Sequence, residues 1–240
     1  MKFLYLSINL ACISIPLLCS FHPRIRFNRY WAALWPGLFL TAFLFLIWDY
    51  FFTTHGVWGF NPRYISGVAV GPLPLEEILF FICIPYACMF TYFCIKLFLP
   101  EGFHERYVRH AHGLSLALAL VLLALAIANL DKLYTSWTFI LTGVLLLLVT
   151  LVRKTNSWLV PFYLSFFLLL FPFAVTNGIL TGTGIEEEVV WYNDGENLGF
   201  RLGTIPVEDI FYAFLFILSN TIFFETLLRR GKLLWQSEPS

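Results

Sequence analysis

Seven stretches of the chain are apolar almost without interruption, and the polar residues gather between them. They run over 3–20, 32–52, 76–99, 114–130, 137–152, 158–176 and 207–228. Crossing the hydrocarbon core of a bilayer takes about 20 apolar residues in helical form. Inside that core, a helix satisfies all of its own backbone polar groups. The pattern therefore predicts an all-α membrane protein of about seven transmembrane helices. The fourth and fifth runs are short, with Asp131 and Lys132 marking a tight turn between them. The first run follows Lys2 and imitates a leader peptide. It has no small-x-small cleavage site, however, and Arg24, Arg26 and Arg29 come directly after it. It reads as a retained first helix with a cytoplasmic anchor.

Charge gives this layout a direction. Eleven of the 15 Lys and Arg residues fall in one set of alternate loops: Arg24, Arg26 and Arg29, then Lys96, Arg106 and Arg109, then Arg153 and Lys154, then Arg229, Arg230 and Lys232. The opposite set holds Lys2, Arg63, Lys132 and Arg201. Basic residues concentrate on the cytoplasmic side, so the N-terminus is expected outside and the C-terminus in the cytoplasm, with the cell (inner) membrane as the site. Composition agrees, because only 12% of residues are charged while 59% are hydrophobic, against roughly 25% charged in soluble proteins. A formal net charge of zero speaks against a nucleic-acid partner, and the surface partner is membrane lipid.

The chain repeats itself. Gly71-Pro72-Leu73-Pro74-Leu75-Glu76-Glu77-Ile78-Leu79-Phe80 and Gly203-Thr204-Ile205-Pro206-Val207-Glu208-Asp209-Ile210-Phe211-Tyr212 share Gly, Pro, Glu and Ile at an offset of 132. Each copy opens an apolar helix, the third and the seventh. Three helices reverse the side of the membrane, so two copies in parallel orientation need a linking helix. The expected division is a first repeat over 1–100, a linking helix over 101–135, a second repeat over 136–230 and a cytoplasmic tail over 231–240. Parallel repeats related by an axis along the membrane normal commonly place a site at their interface. The long outer loops 53–75 and 177–206, without structure of their own, are expected to be functional.

Glu76, Glu77, Glu208 and Asp209 are the candidate chemistry. After a proline, acids are what a helix N-terminus prefers. Ionisable groups at the edge of hydrocarbon, on the other hand, tend to face the bundle interior and mark functional paths. Adjacent helical positions lie about 100° apart, so one acid of each pair faces inward and its neighbour caps, and the sequence does not say which. Burial and a like-charged neighbour favour the neutral acid, whereas the helix dipole favours the carboxylate. Phe80, Phe81 and Tyr212 lie one turn on from these acids, and aromatic faces can stabilise a developing cation.

Asp49 beside Trp48 is a further acid near the outer bilayer edge, and Trp58 sits in the first outer loop. His55, His104, His110 and His112 have no metal-type spacing, so no metal site is expected. The five cysteines lie in apolar runs and read as packed side chains. Neither a G-x-G-x-x-G nor a P-loop is present, and no cofactor is expected. A seven-helix retinal receptor would need a lysine in 207–228, and a membrane prenyl transferase would need an aspartate-rich pair; both are missing. A cation or proton transporter using paired intramembrane acids remains the alternative.

Trp48-Asp49, Gly56-Val57-Trp58-Gly59-Phe60, Pro74-Leu75-Glu76-Glu77-Ile78-Leu79-Phe80-Phe81 and Pro206-Val207-Glu208-Asp209 resemble the membrane-integral lycopene cyclases. In that family the two halves occur either as separate small subunits or fused into one chain. The resemblance covers nearly the whole sequence, with two departures: the second copy has Glu208-Asp209 with Tyr212-Ala213 where the first has Glu76-Glu77 with Phe80-Phe81, and the phytoene synthase extension of the fungal members is absent. It implies a lycopene beta-cyclase, an intramolecular lyase or isomerase of carotenoid biosynthesis, closing the acyclic ends of lycopene or a related long polyene to β-ionone rings without net redox. It further implies Glu76, Glu77, Glu208 and Asp209 as catalytic residues, with Asp49, Trp48, Trp58, Phe80, Phe81 and Tyr212 in support. Other carotenoid enzymes are the partners it suggests.

Overall fold

A computed structural model describes residues 2–152 and 156–236; Arg153 and Lys154 of the charge pattern lie outside the described residues. Among these residues there are seven α-helices: α1 Leu4–Cys19, α2 Trp31–Thr54, α3 Leu75–Phe98, α4 Phe103–Ala128, α5 Leu133–Val152, α6 Leu159–Leu180 and α7 Val207–Gln236. Six are long and apolar enough to cross a membrane, and α1, at 16 residues, falls below that length. At 1.5 Å per residue α1 spans about 24 Å, short of a hydrocarbon core of about 30 Å. α4 starts at Phe103, eleven residues before the apolar run, because the charged segment from His104 to His112 continues the same helix. The fold is that of an all-α, multi-pass membrane protein.

The long loops 53–75 and 177–206 are not irregular throughout. β1 Trp58–Phe60 pairs antiparallel with β4 Val190–Tyr192, with Gly59 opposite Trp191 at the centre. Flanking this ladder, the Asn61 N–H donates to Val189 O at 2.8 Å and the Asn193 N–H to Val57 O at 2.9 Å. The two bonds exchange under the offset of 132, so the ladder sits on a local two-fold axis. Each half then makes a tight hairpin, β2 Ala69–Val70 with β3 Leu73–Pro74, and β5 Arg201–Leu202 with β6 Ile205–Pro206. Gly71 and Gly203 turn these hairpins with φ of 62° and 66°, a region that L side chains avoid.

The equivalence extends into the helices at slightly different offsets. The Val57 N–H donates to Phe52 O and the Val189 N–H to Leu180 O, which sets α2 on α6 at an offset of 128. Between the halves, α2 packs on α7 and α3 on α6, while α4 lies mainly against α5.

Candidate active site

The Pro-x-acid-acid motifs close the hairpins and start α3 and α7. In each pair the first acid turns back to the loop. Glu76 Oε1 accepts from the Ser66 N–H at 2.7 Å, and Glu208 Oε1 from the Leu198 N–H at 2.8 Å. Both bonds reach ten residues upstream, and the second is joined by the Thr135 hydroxyl at 2.6 Å. These carboxyls are buried, and the bonds fix the approach of loop to helix.

The second acid of each pair points elsewhere. Glu77 and Asp209, 8% and 4% exposed, line one cavity of about 270 Å³. Asp49 of α2, 1% exposed, lines it as well. Two tyrosines at equivalent positions hold the two motif acids. Tyr5, second residue of α1, donates its hydroxyl to Glu77 Oε2, and Tyr134, second residue of α5, donates to Asp209 Oδ1 at 2.5 Å. Asp209 Oδ2 accepts two further bonds, from Asn177 Nδ2 at 2.6 Å and from the Tyr192 hydroxyl at 3.0 Å. Burial, and then the charge of Asp209, hold the Tyr192 phenol well above its ordinary 10, so it stays a donor. Asp49 Oδ1 accepts from Trp58 Nε1 at 2.6 Å and from the Thr53 hydroxyl at 3.4 Å, while its Oδ2 has no partner among the described residues.

Aromatic rings wall the acids. The Trp58 ring centroid lies 5.1 Å from that of Tyr134 and 6.0 Å from that of Tyr212, and Tyr134 stacks on Tyr192 at 5.9 Å. The β1–β4 ladder supplies Trp58, Phe60, Val190 and Tyr192 to the same walls, so the two long loops cover the acid end. Away from it the cavity runs between α1 and α6. On α3 it reaches from Glu77 to Thr91, about 21 Å of helix. Its walls there are apolar apart from Thr91 and Thr176. No Lys, Arg or His is among the described lining residues.

Two substitutions between the halves account for the space. Around α2, Phe45, Phe81 and Phe216 close on one another, with Phe45 4.6 Å from Phe216 and 5.2 Å from Tyr212. The matching positions around α6 are Phe173, Ala213 and Ile84, all lining the cavity. Where one half has Phe81 and Phe216, the other has Ala213 and Ile84. One groove is filled, and its counterpart is open.

Of the expected residues, Glu77, Asp209, Asp49, Trp58, Phe80 and Tyr212 meet at the cavity. Glu76 and Glu208 stand behind it. Trp48 and Phe81 pack in the filled groove, Trp48 with its ring 5.0 Å from Tyr212. Tyr5, Tyr134, Asn177 and Tyr192 were not singled out from sequence. Leu4-Tyr5 and Leu133-Tyr134 are the same dipeptide at the start of α1 and α5, and that was the available signal. No curated protein and no solved structure matches the chain. The lycopene cyclase family model matches it twice, over residues 2–95 and 131–227, each match carrying one proline-x-acid-acid motif; the first holds Asp49 and Glu77 of the cavity and the second Asp209. With most of its length covered by those two matches, the chain belongs to the lycopene cyclase family.

Proposed function

We propose that this protein closes the acyclic ends of lycopene, or of a closely related polyene, into β-ionone rings. The observation that carries the reading is the convergence of Glu77, Asp209 and Asp49 at the aromatic end of one otherwise apolar cavity. A polyene end entering between α1 and α6 meets a carboxylic acid only at the closed end. One carboxyl delivers a proton to the terminal double bond, the resulting tertiary cation is attacked by the next alkene, and a ring proton leaves to a second carboxyl. Protons in and out balance, so no redox partner is needed. Trp58, Tyr134 and Tyr212 offer π-faces to the cation, and the loop ladder keeps bulk water from capturing it. A volume near the low end of ligand pockets, roughly 300–1,000 Å³, suits one end group with the rest of the chain extending along the groove.

Glu76 and Glu208 act in this reading as positioning residues, fixing the helix starts that carry Glu77 and Asp209. The reaction belongs to the cell (inner) membrane, with the acid end at the outer face and the C-terminus in the cytoplasm, as the basic residues suggest. The apolar lower walls favour a hydrocarbon over an ion path.

Expression in a lycopene-accumulating host tests the proposal. The expected result is loss of lycopene and appearance of a product with β-ionone rings, identified by chromatography and mass. Unchanged lycopene beside well-inserted protein would overturn it.

A further inference from the structure

Three carboxyls share a cavity whose described walls hold no cation, and the hydrogen bonds they receive are unequal. Asp209 accepts three: from Tyr134 on Oδ1, and from Asn177 and Tyr192 on Oδ2. All three are donated, and such an arrangement serves a carboxylate, which only accepts. Glu77 has one donor among the described residues, Tyr5 on Oε2. Asp49 lines the same cavity, and its Oδ2 is buried without a partner among the described residues. Two carboxyls lining one dry cavity are eased by holding one proton between them. Two carboxyls with one proton between them make an acid, while a donor-saturated carboxylate makes a base.

We infer that Glu77, backed by Asp49, gives the proton that starts ring closure, and that Asp209 takes the proton that ends it and thereby fixes where the ring double bond forms. The inference rests on the cyclase reading and deepens it. In the first step the Glu77 O–H bond breaks, and a C–H bond forms at the terminal alkene. The next alkene supplies the electron pair of the new ring C–C bond and leaves a cation within the ring. Asp209 then removes a proton from a carbon beside that cation, and the C–H pair becomes the ring double bond. Several C–H bonds adjoin the cation, so the place of the base selects the isomer. Tyr134, Asn177 and Tyr192 hold that place. The proton on Asp209 returns to the Glu77–Asp49 pair within the same cavity.

The test compares Glu77→Gln with Asp209→Asn in membranes supplied with lycopene in heavy water, reading ring isomers and the deuterium content of recovered lycopene. Asp209→Asn is expected to slow ring formation, to spread any product over isomers with the double bond elsewhere, and to let deuterium enter recovered lycopene, because protonation and its reversal continue. Glu77→Gln is expected to lose product without changing isomer proportions and to leave recovered lycopene unlabelled. Tyr134→Phe and Tyr192→Phe, which keep the ring and remove one donor each, are expected to shift isomer proportions in the same direction as Asp209→Asn. The inference is overturned if Glu77→Gln rather than Asp209→Asn changes the isomers. It is overturned equally if inserted Asp209→Asn protein neither labels lycopene nor alters the product. Wild-type protein that makes no cyclic product would instead sink the cyclase reading itself.

Discussion

Asp49 on α2 and Asn177 on α6 occupy the same place in the two halves, three residues before the carbonyls of Phe52 and Leu180 that receive equivalent loop N–H groups. The pair breaks the symmetry of the site. Asn177 donates to Asp209 at 2.6 Å, whereas Asp49 has no side-chain N–H to donate and lines the cavity as a second carboxyl alongside Glu77. Asn177→Asp removes one donor from Asp209 and sets a like charge against it. Loss of one preorganised donor costs on the order of 10²-fold in turnover, and conversion of lycopene by the variant is expected to fall by at least that much.

Glu76 and Glu208 separate position from chemistry. Alanine at either site strands a partly buried N–H, of Ser66 or Leu198, and should lower stability by about 1 kcal/mol, read as a lower melting temperature in detergent. Glutamine keeps an accepting oxygen and should cost less. In each case turnover per folded molecule is expected to survive, whereas Glu77→Gln should lose on the order of 10²–10⁴-fold, the usual worth of a general acid.

Ala213 holds the groove open. Ala213→Phe restores the residue that its counterpart Phe81 presents, and should fill the space beside Phe173 and Ile84. The protein is expected to insert normally, since the same packing exists around α2, yet to leave lycopene unconverted. Full activity in this variant would mean that the groove is not the binding path.

Gly59 lies under Trp191 at the centre of the β1–β4 ladder, where an added Cβ would come within 2.4 Å of the indole. Gly59→Ala must displace that ring and loosen the cover over the acids. Faster backbone hydrogen exchange across 57–61 and 189–193 is expected, along with a loss of product.

Outside the helical bundle, acidity should act on the second long loop through Asp194. The hydrogen bond from Arg201, 2.6 Å away, holds this carboxyl below its ordinary value, and the bond from Asn197 adds to it. A carboxyl lowered on folding contributes stability above its unfolded value of about 4 and loses it as pH falls through the folded value. The group is exposed and its contribution correspondingly modest. Protease sensitivity in 193–204 is expected to rise below about pH 4 and to show little change above it, and Arg201→Gln should remove that dependence.

Much of this arrangement is legible in the chain. The apolar runs locate all seven helices, and the proline-x-acid-acid repeat includes Glu77 and Asp209, two of the three cavity acids. The start of α4 is hidden because hydropathy registers where a helix enters lipid, not where its hydrogen bonding begins, and the segment around Arg106 and Arg109 is polar. Tyr5 and Tyr134 escape notice because the helix offsets, 129 for α1 on α5 and 128 for α2 on α6, differ from the 132 of the motifs. A comparison at one fixed spacing slides past them. Which acid of each pair faces inward depends on the loop backbone at Ser66 and Leu198 reaching Glu76 and Glu208, a contact no periodicity encodes.

The filled groove along α2 has a consequence for traffic. On the proposed function, a hydrocarbon with two alike termini meets the open groove and not its filled counterpart along α2. Closing both ends would take two dockings: the half-finished molecule would back out into the lipid, reverse there and enter again, competing with untouched chains. The balance of one-ringed to two-ringed product would then follow supply and residence time as well as the chemistry at the acids.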